Sequence, residues 1–227
     1  MTVFYRMCGI PSTNPSPIFQ EDKFKLNKLC LRSFVQAFKE IAPTMIFILD
    51  NCSTEYVEMI RSICPFDKEF IITDLGINGT MLLSYDLAKD CKDDVILFQE
   101  CDYLYRPGIG KDFDYGIRLW GLLSPYDHLN FYTDRSIHSN QVKLELLDDI
   151  HYRTTERNTM TFGMTKGAFM NQYEILMKYG YLDNDVWKEL AERNNPLRVP
   201  IPSFATHMVR DFMAPSVDWK EIYEAYL

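Results

Sequence analysis

VILFQECDYLYRPG, residues 95–108, opens as a buried strand and ends on acid. Val95, Ile96, Leu97 and Phe98 form an unbroken apolar run; Glu100, Cys101 and Asp102 follow, then two tyrosines and an Arg-Pro-Gly stop. A strand apolar on both faces belongs inside a sheet covered on both sides, usually a parallel one. The same grammar recurs upstream. Residues 2–8 read as a strand, and IPSTNPSP (10–17) as a loop, because three prolines interrupt it. Residues 26–40 place Leu29, Phe34, Val35 and Phe38 on the core side of a helix. A short strand over 45–49 ends at Asp50, and Ser53 or Thr54 caps a helix that stops near Cys64-Pro65. A third strand over 69–73 leads through Asn78-Gly79 into a helix reaching about residue 89. Apolar strands alternating with helices predict an α/β fold with a mostly parallel central sheet flanked by helices.

In such sheets ligands gather beyond the carboxyl ends of the strands. Asp50-Asn51, residues 74–78 and Glu100 to Asp102 are therefore expected on one rim. The second half is less regular. It reads as a helix over 113–123, an aromatic extended piece over 126–132, strands over 141–147 and 159–164, and helices over 166–179 and 185–192. An extended segment with three prolines closes it over 196–209. Neither an internal repeat nor a long polar linker divides the chain, so one domain over 1–227 is expected, with a change of role near residue 105 and a more variable second portion.

At 227 residues the chain can bury a core without staples, and its 47% apolar and 25% charged content is that of a globular protein. A net charge of -8 argues against a general nucleic-acid surface. Cys8, Cys30, Cys52, Cys64, Cys91 and Cys101 show no C-x-x-C and no recurring spacing, which points to free thiols in a reducing compartment. MTVFYRMCGI lacks the charged start and long apolar segment of a secretory leader, and no apolar stretch approaches twenty residues. A cytoplasmic protein without a membrane span is expected; nothing in the pattern specifies an oligomeric state.

Glu100 and Asp102 are two apart, so a strand points both to one side. Like charges that close raise each other's pKa unless a cation or donors intervene. A hard divalent ion such as Mg²⁺ or Mn²⁺, shared with phosphates, would resolve the conflict. A strand end whose acids face solvent or cap a neighbouring helix would do so equally well.

LDNCST (49–54), LGINGTMLLSYDLA (75–88) and LFQECDY (97–103), in that order, resemble the nucleotide-sugar half of GT-A glycosyltransferases of the broad family-2-like group. That group ends its fourth strand in Asp-x-Asp; Glu100 here is a departure that keeps a carboxylate and changes its reach. ECDYLYRPG, the TTERNTMTF run and the late PSFATH look more specifically like small glycosyltransferases encoded by large DNA viruses. The resemblance spans nearly the whole chain. It implies a nucleotide-sugar half over 1–105 and an acceptor half over 106–227, a nucleotide-diphosphate sugar donor and a glycan acceptor. It also implies Asp102 on a Mn²⁺ or Mg²⁺ that grips the diphosphate, and Glu100 on the ribose or sugar side. Asp50 would accept from the base, Cys8, Gly9 and Ile10 would line its other face, and Asn78 and Ser84 would pack near the nucleoside, although Ser84 reads equally as an inert helix residue.

A lone histidine in a mixed segment is ordinarily structural, and His128, His138 and His151 are read that way. His207 differs because it follows PSFAT, where the resembling enzymes place a C-terminal metal-binding histidine; an imidazole ligand favours manganese. For the general base, YLDNDVWKEL (181–190) supplies Asp185 where the family-2 pattern places an acidic pair, with Asp183 or Glu156 next and Asp148 or Asp149 behind them. Asp183 and Asp185 would equally favour the positive end of the following helix. With Asp185 as base the simplest course is one displacement with inversion. Arg6, Arg106, Arg153 and Arg210 are unranked candidates for the diphosphate. One or two sugar contacts are expected among Tyr103, Tyr105, Trp120, Tyr126, Phe131, Tyr132 and Tyr152.

Two rivals remain. A metal-dependent nucleotidyltransferase or sugar-nucleotide pyrophosphorylase shares the acidic rim but calls for a glycine- and arginine-rich loop after the first strand, which IPSTNPSPIFQEDKFK does not supply. A carbohydrate-binding module without catalysis would tolerate loss of Asp102 or His207. A Rossmann dehydrogenase is disfavoured, as no G-x-G-x-x-G follows residues 3–8.

Overall fold

The structure, a computed structural model, describes residues 1–11, 14–134 and 142–227; His138 and Gln141 lie outside the described residues. The first half runs β1 (Thr2–Cys8), α1 (Lys23–Phe38), β2 (Thr44–Asp50), α2 (Thr54–Ile63), β3 (Lys68–Thr73), α3 (Gly76–Ala88) and β4 (Val95–Glu100). These four strands pair in parallel in the order β3-β2-β1-β4. Their alternation sorts the core into two layers. Val3, Tyr5 and Met7 of β1 meet Phe34 and Phe38 of α1 on one face, and Phe4 meets Phe98 of β4 and Tyr85 of α3 on the other. Both faces of β1, β2 and β4 are covered, which is why these strands carry no polar alternation, whereas the edge strand β3 leaves Glu69 and Ile72 exposed.

The second half continues as β5 (Tyr103–Tyr105), α4 (Gly110–Trp120), β6 (Leu122–Leu123), α5 (Asn130–Thr133), β7 (Leu144–Leu147), β8 (Ile150–Thr155) and β9 (Phe162–Thr165). It closes with α6 (Lys166–Tyr179), α7 (Asp183–Glu192), β10 (Leu197–Ile201), β11 (Ala205–His207) and α8 (Trp219–Glu224). Among the described residues the sheet extends beyond β4 as β9-β6-β10-β8-β7, with β9 antiparallel to β4 and β8 antiparallel to β10. The expected helix over 113–123 ends earlier, because Gly121 takes a left-handed conformation (φ +79) and releases Leu122–Leu123 to pair with β9. Residues 126–132 are not wholly extended, since α5 begins inside them. Strand β8 was not expected from periodicity: Arg153, Thr154 and Thr155 are buried polar residues that hide its pattern.

Register positions the site. Cys8 stands beside Asp50, and Arg6 beside Glu100, at the carboxyl ends of β1, β2 and β4. A separate two-stranded ribbon pairs β11 with β5 antiparallel, His207 opposite Tyr103, and the Met208 N–H donates to the Asp102 carbonyl at 2.8 Å. That ribbon carries His207 to the end of β4. No helix among the described residues is long and apolar enough to cross a membrane.

Candidate active site

The carboxyl ends of β1, β2 and β4 and the start of α3 enclose a cavity of about 220 Å³, whose wall includes Cys8, Ile10, Asp50, Glu100 and Asp102. Asp50 is buried; one carboxylate oxygen accepts from the Gly76 N–H at 3.2 Å and the other from Asn51 Nδ2 at 3.3 Å, so part of its capacity holds the start of α3. Gly9 brings the first loop against the second. A Cβ there would meet the Asn51 carbonyl oxygen at 2.3 Å, and its N–H donates to the Asp50 carbonyl at 3.1 Å.

Glu100 is held from two sides. Arg6 Nη2 lies 3.2 Å from Oε1, and Thr161 Oγ1 donates to Oε2 at 3.3 Å. The second terminal nitrogen of Arg6 donates to the Ile77 carbonyl at 3.3 Å. Asp102 sits between a lysine and a histidine: Lys23 Nζ is 3.2 Å from Oδ2 and His207 Nε2 is 3.6 Å from Oδ1. Burial pushes the Asp102 carboxyl up, yet Lys23 and His207 outweigh it and hold it well below the usual carboxylate range. Burial also opposes a charge on His207, but Asp102 prevails and lifts it above the ordinary histidine value. The His207 ring stacks parallel on Tyr103 with centroids 5.0 Å apart, fixing its orientation.

These donors fit a divalent ion in a specific way. The 3.6 Å between Asp102 Oδ1 and His207 Nε2 is too long for a good hydrogen bond and within the span of two ligands on one ion. Yet among the described residues no group of three or more His, Cys, Asp or Glu side chains converges as a metal site. Two protein ligands suit an ion that completes its shell with phosphate oxygens and water, not one caged by protein alone.

A second cavity, about 210 Å³, is lined by His128, Asn130, Asn158, Thr159, Asp183 and Asn184, among others. Tyr103 connects the two walls through side-chain contacts, stacking on His207, the neighbour of Asp102, and hydrogen-bonding Thr159. Burial chiefly, with the charges of Glu100 and Asp185, raises the Asp183 carboxyl. Burial, His207 and Arg153 push His128 down to about 4.

Several expected residues lie elsewhere. Asp185 is exposed and lines a different surface hollow with Lys188 and Glu192, because the first turn of α7 points it outward while Asp183 points in. Asn78 accepts from the Tyr181 N–H at 3.4 Å and is absent from the cavity wall; Ser84 is fully buried and donates back to the Thr80 carbonyl at 2.7 Å. Both side chains serve the packing of α3. Asp148 and Asp149 form the exposed turn between β7 and β8, and neither they nor Glu156 reach either cavity wall. Arg153 is buried against Asp127, Arg106 donates to the Ser203 carbonyl, and Arg210 is exposed, which leaves Arg6 alone of the four arginines in the first cavity. Tyr103, Tyr105, Tyr126 and Tyr152 are core residues with no exposed surface, and Phe131 lines the second cavity. His151 is exposed on β8.

Lys23 was not foreseen. Nothing near it in the chain marks it, since 79 residues separate it from Asp102. Arg6 had a signal, as the sole cation in the apolar strand TVFYRMC.

The α/β architecture, a large mostly parallel sheet flanked by helices, is shared with solved transferases. The chain is similar in structure to 4-diphosphocytidyl-2C-methyl-D-erythritolsynthase from Anaerococcus prevotii, with a TM-score of 0.54, 11% identity, and coverage of 99% of this chain and 94% of that one. It is similar to HddC from Yersinia pseudotuberculosis, with a TM-score of 0.53, 11% identity and coverage of 100% and 99%. A putative nucleotide-diphospho-sugar transferase from Desulfovibrio desulfuricans matches with a TM-score of 0.50, 8% identity and coverage of 86% and 77%. At such identities the likeness is one of fold. No protein-family model matches the chain. No curated protein matches it in sequence.

Proposed function

We propose that the chain is a glycosyltransferase that moves a sugar from a nucleoside-diphosphate sugar to a hydroxyl of a glycan acceptor, assisted by Mn²⁺ or Mg²⁺. The observation that carries this reading is the convergence of Asp102 and His207, 3.6 Å apart at the end of β4, beside one cavity and one side chain away from a second. Asp50 and the backbone around Cys8, Gly9 and Ile10 bind the nucleoside. Glu100, steadied by Arg6 and Thr161, faces the ribose or the donor sugar. Asp102 and His207 would hold the ion, whose chemistry when bound is to offset negative charge on the departing diphosphate. The second cavity takes the acceptor, and Asp183 receives the proton of its hydroxyl as that oxygen bonds to the anomeric carbon and the bond to the diphosphate breaks. The raised Asp183 carboxyl suits a base, whose pKa should approach the working pH. A single displacement of this kind inverts the anomeric centre.

The six cysteines are free thiols, which supports a reducing compartment and hence the cytoplasm. The likeness to small viral enzymes rests on the sequence motifs alone.

One observation favours a second reading: a buried lysine beside the metal-type carboxylate would also serve a nucleotidyltransferase, which joins a nucleoside triphosphate to a sugar phosphate and releases pyrophosphate. Against it, residues 9–22 contain one glycine and no lysine or arginine to cradle a triphosphate. Product analysis separates the two. Incubation with UDP-, GDP- and dTDP-sugars and Mn²⁺ should release nucleoside diphosphate and free sugar from at least one donor, chelation should stop it, and Asp102→Asn should abolish it. Pyrophosphate release from a nucleoside triphosphate and a sugar phosphate, with no donor hydrolysed, would overturn the glycosyl reading.

A further inference from the structure

We infer that Lys23 is a placeholder cation on Asp102, holding the carboxylate until a diphosphate draws the ammonium away, so that the divalent ion and the diphosphate enter together. The inference rests on the metal-assisted reading above and assigns a role to a residue which that reading leaves unused.

Lys23 opens α1, and the helix start is pinned because the Asp22 carboxylate accepts from the Lys25 N–H at 2.9 Å. The Lys23 side chain is 8% exposed and its ammonium lies 3.2 Å from Asp102 Oδ2. A buried carboxylate needs a cation, and Lys23 supplies one from within the chain. The same side chain forms part of the wall of the 220 Å³ cavity, with Arg6, and of a smaller hollow beside it with Ser16 and Val209. A flexible four-carbon stem can therefore exchange Asp102 for a phosphate without leaving the site.

Two features make the metal alone a poor ligand. An ion on Asp102 Oδ1 and His207 Nε2 would share its carboxylate with an ammonium, and like charges at such range repel strongly in a partly desolvated site. It would also have only two protein ligands, since no group of three or more converges among the described residues. A diphosphate removes both obstacles: its oxygens complete the shell of the ion, and its charge gives Lys23 another partner.

The test titrates the intact protein with Mn²⁺ by equilibrium dialysis, with and without inorganic pyrophosphate, and counts as bound the Mn²⁺ retained with the protein above that in the protein-free chamber holding the same pyrophosphate. Wild-type protein should bind Mn²⁺ weakly, and pyrophosphate should tighten it at least about tenfold. Lys23→Met should bind Mn²⁺ alone roughly tenfold tighter than wild type and lose most of the gain from pyrophosphate. Lys23→Arg, which keeps the charge, should behave as wild type. Lys23→Gln, which keeps a hydrogen-bond donor for Asp102 without the charge, carries the test should Lys23→Met fail to fold. Mn²⁺ binding that is equal in wild type and the neutral variants overturns the placeholder role and leaves the metal-assisted reading standing. No Mn²⁺ binding in any protein, with or without pyrophosphate, overturns both.

Discussion

Arg6 and Glu100 stand side by side on adjacent parallel strands, Nη2 3.2 Å from Oε1, with the arginine 7% exposed in the wall of the first cavity. A strand otherwise made of core residues thus spends one position on a guanidinium whose partner is the first acid of the Glu-Cys-Asp stretch. Removing one member of a buried pair costs more than the pair is worth, because the other is left without compensation. Arg6→Met should lower stability by about 2–3 kcal/mol in urea denaturation, less than for a fully buried pair because Glu100 retains solvent and Thr161. A double-mutant cycle with Glu100→Gln should give a coupling above about 1 kcal/mol. Independent, additive effects would show that the two side chains are merely neighbours.

Asp183 and Asp185 make opposite predictions although they share the first turn of α7. Asp183→Asn should leave donor binding intact and cut transfer by at least about a hundredfold. Asp185→Asn should stay within about twofold of wild type in the same assay, because its side chain belongs to a separate surface hollow. The reverse ranking would return the base to Asp185.

Gly9 tests how closely the first two strand-end loops must approach. The clash of an added Cβ is with backbone, the Asn51 carbonyl oxygen at 2.3 Å, so no side chain can swing aside to relieve it. Gly9→Ala should cost about 1–3 kcal/mol of stability and weaken nucleoside-diphosphate binding, measured by calorimetry. Unchanged binding would show that the cavity does not depend on this approach.

His128 predicts an acid-sensitive window. Unfolded, its imidazole titrates near the ordinary 6.5; folded, burial and the neighbouring charges of His207 and Arg153 bring it to about 4. As pH falls the unfolded chain takes up the proton first, so the contribution of His128 is complete above about 6.5 and is lost as pH drops through about 4. The difference amounts to about 3 kcal/mol at most. Urea midpoints for wild type should fall between pH 7 and pH 4 by more than those of His128→Phe. Parallel curves for the two proteins would remove His128 from the acid response.

The parallel half was legible because its strands β1, β2 and β4 carry long apolar runs with few polar interruptions. Val95–Glu100 can satisfy its side chains only between two helical layers, and such a strand must pair with others of its kind, so Asp50 and Glu100 arrive on one edge as a matter of topology. The second half resisted the same reading. In β8 three of the four buried residues, Arg153, Thr154 and Thr155, are polar, and the Arg153–Asp127 pair that makes burial tolerable joins positions with no local relation. Periodicity measures hydrophobicity along the chain, and it has no access to a polar group whose partner is remote.

The sequence by itself determined the layered α/β fold, the acidic rim, and the residue types at the end of the fourth strand, because alternation and strand-end chemistry are local properties of the chain. Tertiary structure alone decided that Lys23 meets Asp102, that a β5–β11 ribbon is the element that delivers His207, and that Asp183 turns inward where Asp185 turns out. Those outcomes depend on the packing of α1, α7 and the ribbon against the sheet, and the distances between groups far apart in the chain exist only once that packing is complete.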